Sequence, residues 1–562
     1  MAARVGNGLP KSKILVIEAG PEGSKEEQIY IPGMKGLAIM GPLDWGMTTI
    51  PQEHLTGRTI IQSRGKVLGG SSAINLLSHD RAAAVEYDSW EALGNDGWNW
   101  DTMLDAMVKA ENFTGINSEY YGSEGVGTSG PVKSVVNRHI PAHQDAWLPT
   151  MNKLGVKTNR ESLGGDVNGA MYQPSSIDPD KWVRSYSANA YLPLAGSNVE
   201  VWTETRVAKI EFSEGDDGLR ATGVTLANGT KIAARREVIL SAGSIHSPGL
   251  LEHSGIGRSD VLTKVGVEQL LDLPGVGENL QDHIRVQTSY QLRDDFTSFD
   301  ILRFNTTYAA EQLALYRAGE EGLYDYTGSA YSFTNWKQSS GSKVSDNMIK
   351  LGKNAANSDS SRVDQIKVKW LNDPDVPQLE VIFSDGYTGV KGYPTAEDEL
   401  FGESFFTLIC GLMHPLSRGS VHIASSDIED MPLINPNYLA HEHDIQGLVE
   451  AVKFARKIAH TRPLKDLWVS EYEPGLDKVQ TDEEIRKYVL DTILTIFHPV
   501  GTTAMLPRNK GGVVDKTLKV YGTENLRVVD ASVMPLLISA HITTAVYGIA
   551  EIAADMIIDE HS

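Results

Sequence analysis

One cysteine, Cys410, is all the thiol chemistry that these 562 residues hold. An intrachain disulfide is therefore impossible, and a metal site built on thiolates is excluded. Cys410 lies in an apolar run from Phe405 to Met413, which marks it as a small buried hydrophobe. Positive charge is also short. Lys and Arg total 51 against 73 Asp and Glu, a formal net charge of −22. That balance argues against DNA, RNA or anionic lipid as the main partner and leans toward a neutral or cationic ligand. No apolar stretch approaches the ~20 residues of a membrane span. The first residues, Met1 to Lys11, lack the apolar core of a secretory signal. Three Asn-x-Ser/Thr triplets, at Asn112, Asn228 and Asn305, give secretion only slight support. What is present is globular in composition, 41% hydrophobic and 22% charged, enough for a large core in two or more domains.

The first clear element is Lys13-Ile14-Leu15-Val16-Ile17-Glu18-Ala19-Gly20. A short unbroken β-branched run reads as a strand buried on both faces, hence as parallel sheet. An acidic residue closes it, as where a dinucleotide fold grips the adenosine ribose. Between Arg64 and Asn75 the pairs Gly69-Gly70 and Ser71-Ser72 offer bare backbone and hydroxyl donors suited to phosphate. Trp90 to Trp100 reads as a helix followed by a turn at Gly94-Asn95-Asp96-Gly97. Residues 199–239 alternate with period two, and Asn228-Gly229 marks a hairpin. Residues 285–400 read as polar loops and amphipathic helix, with 339–361 as a surface loop. Lys519–Gly522 and Leu526–Ala531 read as short strands. Thr543 to Ile558 closes the chain as a helix. Interleaved strands and helices at both ends predict a nucleotide-binding α/β domain built from separated segments, with a second domain inserted.

Four ordered motifs then point to a family. Gly243-Ser244-Ile245-His246-Ser247-Pro248-Gly249 through Gly257 resembles the second signature of the glucose–methanol–choline (GMC) oxidoreductases. Pro274 to His283 resembles the segment that follows it, and Gly65 to Asn75 the first signature. His498-Pro499-Val500-Gly501-Thr502, Val529-Asp530-Ala531-Ser532 and His541 resemble the closing segment. The likeness is nearest to fungal aryl-alcohol oxidase, glucose oxidase and glucose dehydrogenase types. It implies FAD, and an α/β (α+β overall) fold. The FAD-binding, Rossmann-like domain would comprise 1–140, 190–285 and 500–562. The substrate domain, an antiparallel sheet with helices, would comprise 141–189 and 286–499. It also implies a small-molecule alcohol, O₂ or a quinone-type acceptor, and a monomer or homodimer. Mapped residue by residue, Glu18 would hold the adenosine ribose and Val207 the adenine side. Leu68, Gly69, Gly70, Ser72 and Asn75 would line flavin and phosphates. Asp530 and Ala531 would contact the pyrophosphate and ribityl chain. His79 stands where the first signature usually has another residue, and is expected to be structural.

Oxidising an alcohol removes a hydroxyl proton and a hydride. In this family the hydride goes to flavin N5, and a base must take the proton near neutral pH, a task that suits imidazole. By resemblance the base is His498, while His541 stabilises developing alkoxide. Glu380, in Pro377-Gln378-Leu379-Glu380-Val381, is expected to hydrogen-bond His541. Ile542 and Thr543 open the last helix, whose free N–H groups would face the negative charge of reduced flavin. His414 and His422 are expected to be structural. His441-Glu442-His443-Asp444 resembles a metal site but sits at a helix start, where acids are ordinary, and no metal is expected. A dinucleotide fold also needs a glycine loop ~20 residues before its ribose acid. Counting back from Glu18 passes Met1, and Gly6-Asn7-Gly8 has no room for a helix before the strand. Ala2 to Val5 instead reads as the end of a helix. The sheet is thus expected to lack its central strand. A non-redox lyase or cyclase of the same family, or a flavin-free homologue, are the competing readings.

Overall fold

The computed structural model describes residues 1–325, 328, 330–356 and 361–562. Its backbone is a mixture of helices and several sheets. The strand predicted at Lys13–Gly20 is Ile14–Ile17, paired in parallel with Val199–Trp202. A second parallel pair joins Val238–Leu240 to Leu526–Val528. The two pairs share no ladder. Residues of both inner edges, among them Ile14, Val16, Val238 and Leu240, line one continuous cavity. That corrects one expectation: Ile14–Ile17 is only half-buried along its length, because its free edge faces this cavity instead of another strand.

The segment before that strand is a helix, Ala2–Gly8, that continues past Val5 through the glycines. Val5 and Leu9 pack on Ala554 and Ile557 of the closing helix Thr543–His561. That closing helix also lies against Trp100–Ala110. At Gly548 a Cβ would stand 3.0 Å from Met103 Cε and Met107 Cγ, so glycine permits the close approach of the two helices. The Asn228-Gly229 turn sits where expected, inside an antiparallel sheet of Val207–Glu214, Leu219–Leu226 and Lys231–Ala233.

The remaining framework is a seven-stranded antiparallel sheet. Its order is Trp468–Glu473, Ile284–Leu292, Phe405–Leu412, Leu379–Asp385, Ala330–Thr334 and Gly169–Tyr172, and Leu494–Thr495 also pairs with the Ile284 strand. Three of these strands fall in 285–400, where local pattern suggested loops and helix. Their runs, such as Leu379-Glu380-Val381-Ile382-Phe383, are buried on both faces, so period-two alternation is lost. The helix Glu442–Ala459 covers this sheet and supplies much of its core, with Leu448, Val452 and Phe454. The loop expected at 339–361 is also corrected. Ser342–Ala355 is a helix, with Met348 facing the core, and residues 357–360 lie outside the described residues. Lys519–Gly522 forms isolated bridges and not a strand. Among the described residues no helix is long and apolar enough to cross a membrane.

Candidate active site

One cavity of about 2050 Å³ runs from Glu18 and the free edges of the parallel strands to the wall of the large sheet. Ligand pockets are usually about 300–1,000 Å³, so this space suits an extended ligand plus a small one. Every cofactor residue expected from the sequence lines it: Glu18, Leu68, Gly69, Gly70, Ser72, Asn75, Val207, Asp530, Ala531, Ile542 and Thr543. Gly70, at φ +53°, and Gly243, at φ +80°, would each project a Cβ into open space, leaving bare backbone for a ligand to approach. Asp530 is held rigidly for contact, its carboxylate accepting from Gly243 N at 2.9 Å and Ser532 N at 2.8 Å. Glu18 accepts from Gly20 N at 2.7 Å, and burial pushes its carboxyl above the usual range. These groups fit a flavin dinucleotide.

His498 and His541 meet at the far end of that cavity. Their ring centroids are 5.0 Å apart and their planes nearly perpendicular, at 84°. The approach of His498 is built by strand pairing. Thr495 pairs with Ile284, and Phe497 then takes a left-handed backbone, φ +66°, that turns the chain inward. Such a conformation costs a non-glycine residue of order 1–3 kcal/mol. Neighbours hold it there. Phe497 N donates to Thr495 Oγ1 at 2.6 Å, Arg64 binds the Phe497 carbonyl, and Asp282 Oδ1 accepts from His498 N at 2.8 Å. The His498 ring sets Nδ1 against His283 Nδ1 at 2.9 Å. Its Nε2 is thereby the ring nitrogen left for the cavity.

His541 is clamped by a residue that sequence reasoning passed over. Asp80 accepts from His541 N at 2.8 Å and contacts its Nδ1 at 2.8 Å. Glu380 Oε1 lies 3.6 Å from that same Nδ1. The expected Glu380 hydrogen bond is therefore corrected: the ring nitrogen is already taken by Asp80, and Glu380 acts through its charge. The two histidines consequently differ in protonation. Burial, and then the neighbouring His541, His283 and Arg64, hold His498 well below the usual imidazole value. Burial would lower His541 too, but the carboxylates of Glu380 and Asp80 outweigh it and raise His541 to about 9. Burial pushes Glu380 up to about 7. Asp80, Glu380 and His541 also lie close enough to share a metal ion. A protonated imidazole beside two carboxylates accounts for the grouping without one.

His79, His414, His422 and His443 are engaged elsewhere. His79, adjacent to Asp80, turns away to Glu111 at 2.7 Å and Ser176 at 3.1 Å. His414 pairs with Glu86 at 2.6 Å and His422 with Glu252 at 2.7 Å. His443 contacts Asp444 at 3.0 Å, at the start of the helix Glu442–Ala459, and Asp444 caps Leu416 N and Ser417 N. Asp80 and His283 are the site residues that sequence reading missed. His283 does end the Pro274–His283 motif, and Asp80 follows the singled-out His79, so both lay next to a visible signal.

The N-terminal family model of the GMC oxidoreductases matches residues 12–285 and the C-terminal model residues 415–550. The chain belongs to the GMC oxidoreductases. It is an FAD-dependent enzyme acting on CH–OH donors. It is similar to a GMC oxidoreductase family protein of Malassezia sympodialis, 36% identical over 97% of this chain and 88% of that protein. Its fold resembles an FAD-dependent oxidoreductase from Chaetomium thermophilum, with TM-score 0.88, 29% identity, and coverage of 100% and 97% of the two chains. A fungal aryl-alcohol oxidase is also similar, with TM-score 0.83, 28% identity, and coverage of 100% and 97%.

Proposed function

We propose that this enzyme oxidises a small alcohol to a carbonyl with His498 as general base and His541 as the group that steadies the alcohol oxygen. The carrying observation is two rings 5.0 Å apart at one cavity end with unlike partners, His498 against His283 and His541 against the carboxylates of Asp80 and Glu380. Bound FAD supplies the hydride acceptor. A base must be neutral to accept a proton, and burial keeps His498 so. An oxyanion stabiliser must carry positive character, and the two carboxylates keep His541 so.

Tautomers sharpen the assignment. With His498 and His283 both neutral, one Nδ1 carries hydrogen toward the other across their 2.9 Å contact. If His498 donates, its Nε2 keeps a lone pair facing the substrate and can take the hydroxyl proton. If His283 donates, that lone pair is lost. The catalytic tautomer is thus the one in which His283 accepts, and His283 is a positioning residue. Asp80 does the same for His541 by occupying its Nδ1 and leaving an Nε2–H for the substrate oxygen. Glu18, Gly70, Ser72, Asn75 and Asp530 would hold the cofactor against this pair.

His498→Ala tests the reading. Flavin reduction by alcohol under anaerobic conditions should slow by ~10²–10⁴-fold, the usual span for general-base catalysis, with flavin still bound. Unchanged reduction would remove His498 from the role.

A further inference from the structure

The substrate end of the cavity holds a cation that this chemistry does not use. Arg285 lies on the strand Ile284–Leu292 and lines the cavity beside Thr495, Ile496 and Phe497. In the sheet register Arg285 is opposite Gly411, and Gly411 is opposite Glu380 on its other side. Residues directly opposite share a face, so Arg285 and Glu380 leave the same side of the sheet, about 10 Å apart at Cα by ordinary strand spacing. Glu380 abuts His541. Ile409 and Ile382 continue that face and line the cavity too. Arg285 is therefore mounted on the wall that ends at the catalytic pair.

Its own partners are few. One nitrogen donates to Gln287 Oε1 at 3.0 Å, and among the described residues no carboxylate lies within 4 Å of the guanidinium. The nearby acids are engaged elsewhere. Asp300 pairs with Arg303 at 2.9 Å, Asp385 with His143 at 3.2 Å, and Asp80 with His541. Glu473 acts on Arg285 through space, but it makes no ion pair with it: its oxygens are engaged by Tyr387, Tyr488, Val390 N and Lys391 N, and it meets Gln287 at 3.5 Å. Burial lowers Arg285 to about 10, so it stays charged at neutral pH. A guanidinium has five N–H donors in a fixed fork that matches a carboxylate. A cation away from bulk water with no anion in contact is costly, and a bound anion relieves that cost.

We infer that the alcohol oxidised here carries a carboxylate, which Arg285 grips while its carbinol end sits at His498 and His541. This inference rests on the oxidation reading above. The carboxylate is not itself transformed; the carbinol carbon loses hydride and the hydroxyl proton passes to His498. The chain's net charge of −22 does not oppose it, because charges beyond about 8 Å are screened in physiological salt and the local cation dominates.

The test compares short and long ω-hydroxy acids and 4-(hydroxymethyl)benzoate, each against its primary amide, on the flavin-loaded enzyme. Wild type should favour at least one acid by roughly 10- to 100-fold in kcat/KM, the value of hydrogen bonds to a charged group. Arg285→Gln should abolish that preference and leave amide oxidation unchanged, while Arg285→Lys should keep part of it. Equal rates for every acid and amide in wild type would overturn the inference and leave alcohol oxidation standing. If no alcohol at all reduces the flavin, the oxidation reading fails, and calorimetric binding of the same pairs decides. Arg285-dependent binding of an acid over its amide would uphold carboxylate recognition, and equal affinities would overturn it. Should Arg285→Gln not fold, the wild-type acid-to-amide ratio and its weakening in Arg285→Lys decide instead.

Discussion

The Nδ1 atoms of His283 and His498 face each other at 2.9 Å inside a site where burial depresses both imidazoles. One ring must donate to the other, so in the proposed mechanism His283 sets which nitrogen of His498 is basic. Replacing His283 by Leu should slow anaerobic flavin reduction by about 10- to 100-fold, the usual cost of losing an orienting partner. Flavin content and KM should stay near wild type. Gln, whose carbonyl can accept from His498, should restore part of the rate. A Leu variant with wild-type reduction kinetics would show that His283 does not set the tautomer.

The pH profile follows from His541. Its value is raised to about 9, so it is charged below that pH and loses its charge as pH rises through it. The kcat/KM of the free enzyme should therefore fall on an alkaline limb near pH 9. His541→Ala should lack that limb and run slower by about 10²–10³-fold, the typical loss of one oxyanion donor. Asp80→Asn removes one of the two charges that raise His541 and should move the limb to lower pH. No acidic limb from His498 is expected near 6.5, because its value is held well below that.

Thr543 is the first residue of the closing helix and lines the cavity beside Ile542. Its backbone N–H is one of the donors a helix start leaves unpaired. A following Pro disfavours the αR backbone of Ile542, φ −61° and ψ 0°, so Thr543→Pro should lose some stability, and its melting and flavin content are checked before the potential is read. If those donors face the flavin, losing one should lower the midpoint potential by roughly 30–60 mV, the equivalent of one hydrogen bond to a charge. Dye-equilibrated reductive titration measures it, and an unmoved potential would place the helix end elsewhere.

Gly70 combines φ +53° with ψ −140°, a region that only glycine enters readily. Ala there should cost of order 1–3 kcal/mol in strain, and its methyl would enter the cofactor cavity. The Gly70→Ala protein should carry less flavin per chain and melt earlier than wild type. A full flavin complement would show that Gly70 does not face the cofactor.

Local pattern carried several elements well. The parallel strand at Ile14–Ile17, the Asn228-Gly229 hairpin and the final helix all follow from periodicity and turn chemistry that act within a few residues. It failed between 285 and 400, where strands such as Leu379–Asp385 are covered on both faces and carry no alternation to read. Half-burial of Ile14–Ile17 was likewise invisible, because it depends on what lies beside the strand and not on the strand.

For the site, motif order along the chain was enough to single out His498, His541 and the glycine-bearing stretch at Gly69-Gly70. Nothing in those residues tells the two histidines apart, since both are imidazoles with the same intrinsic affinity for protons. That difference arises only when Asp80 and Glu380 converge on one ring, and His283 and deep burial on the other. Charge acts through space, and the groups that set these protonation states come from segments hundreds of residues apart. Residue order along the chain names the side chains proposed to do the chemistry, and their folded surroundings give the two rings their different partners.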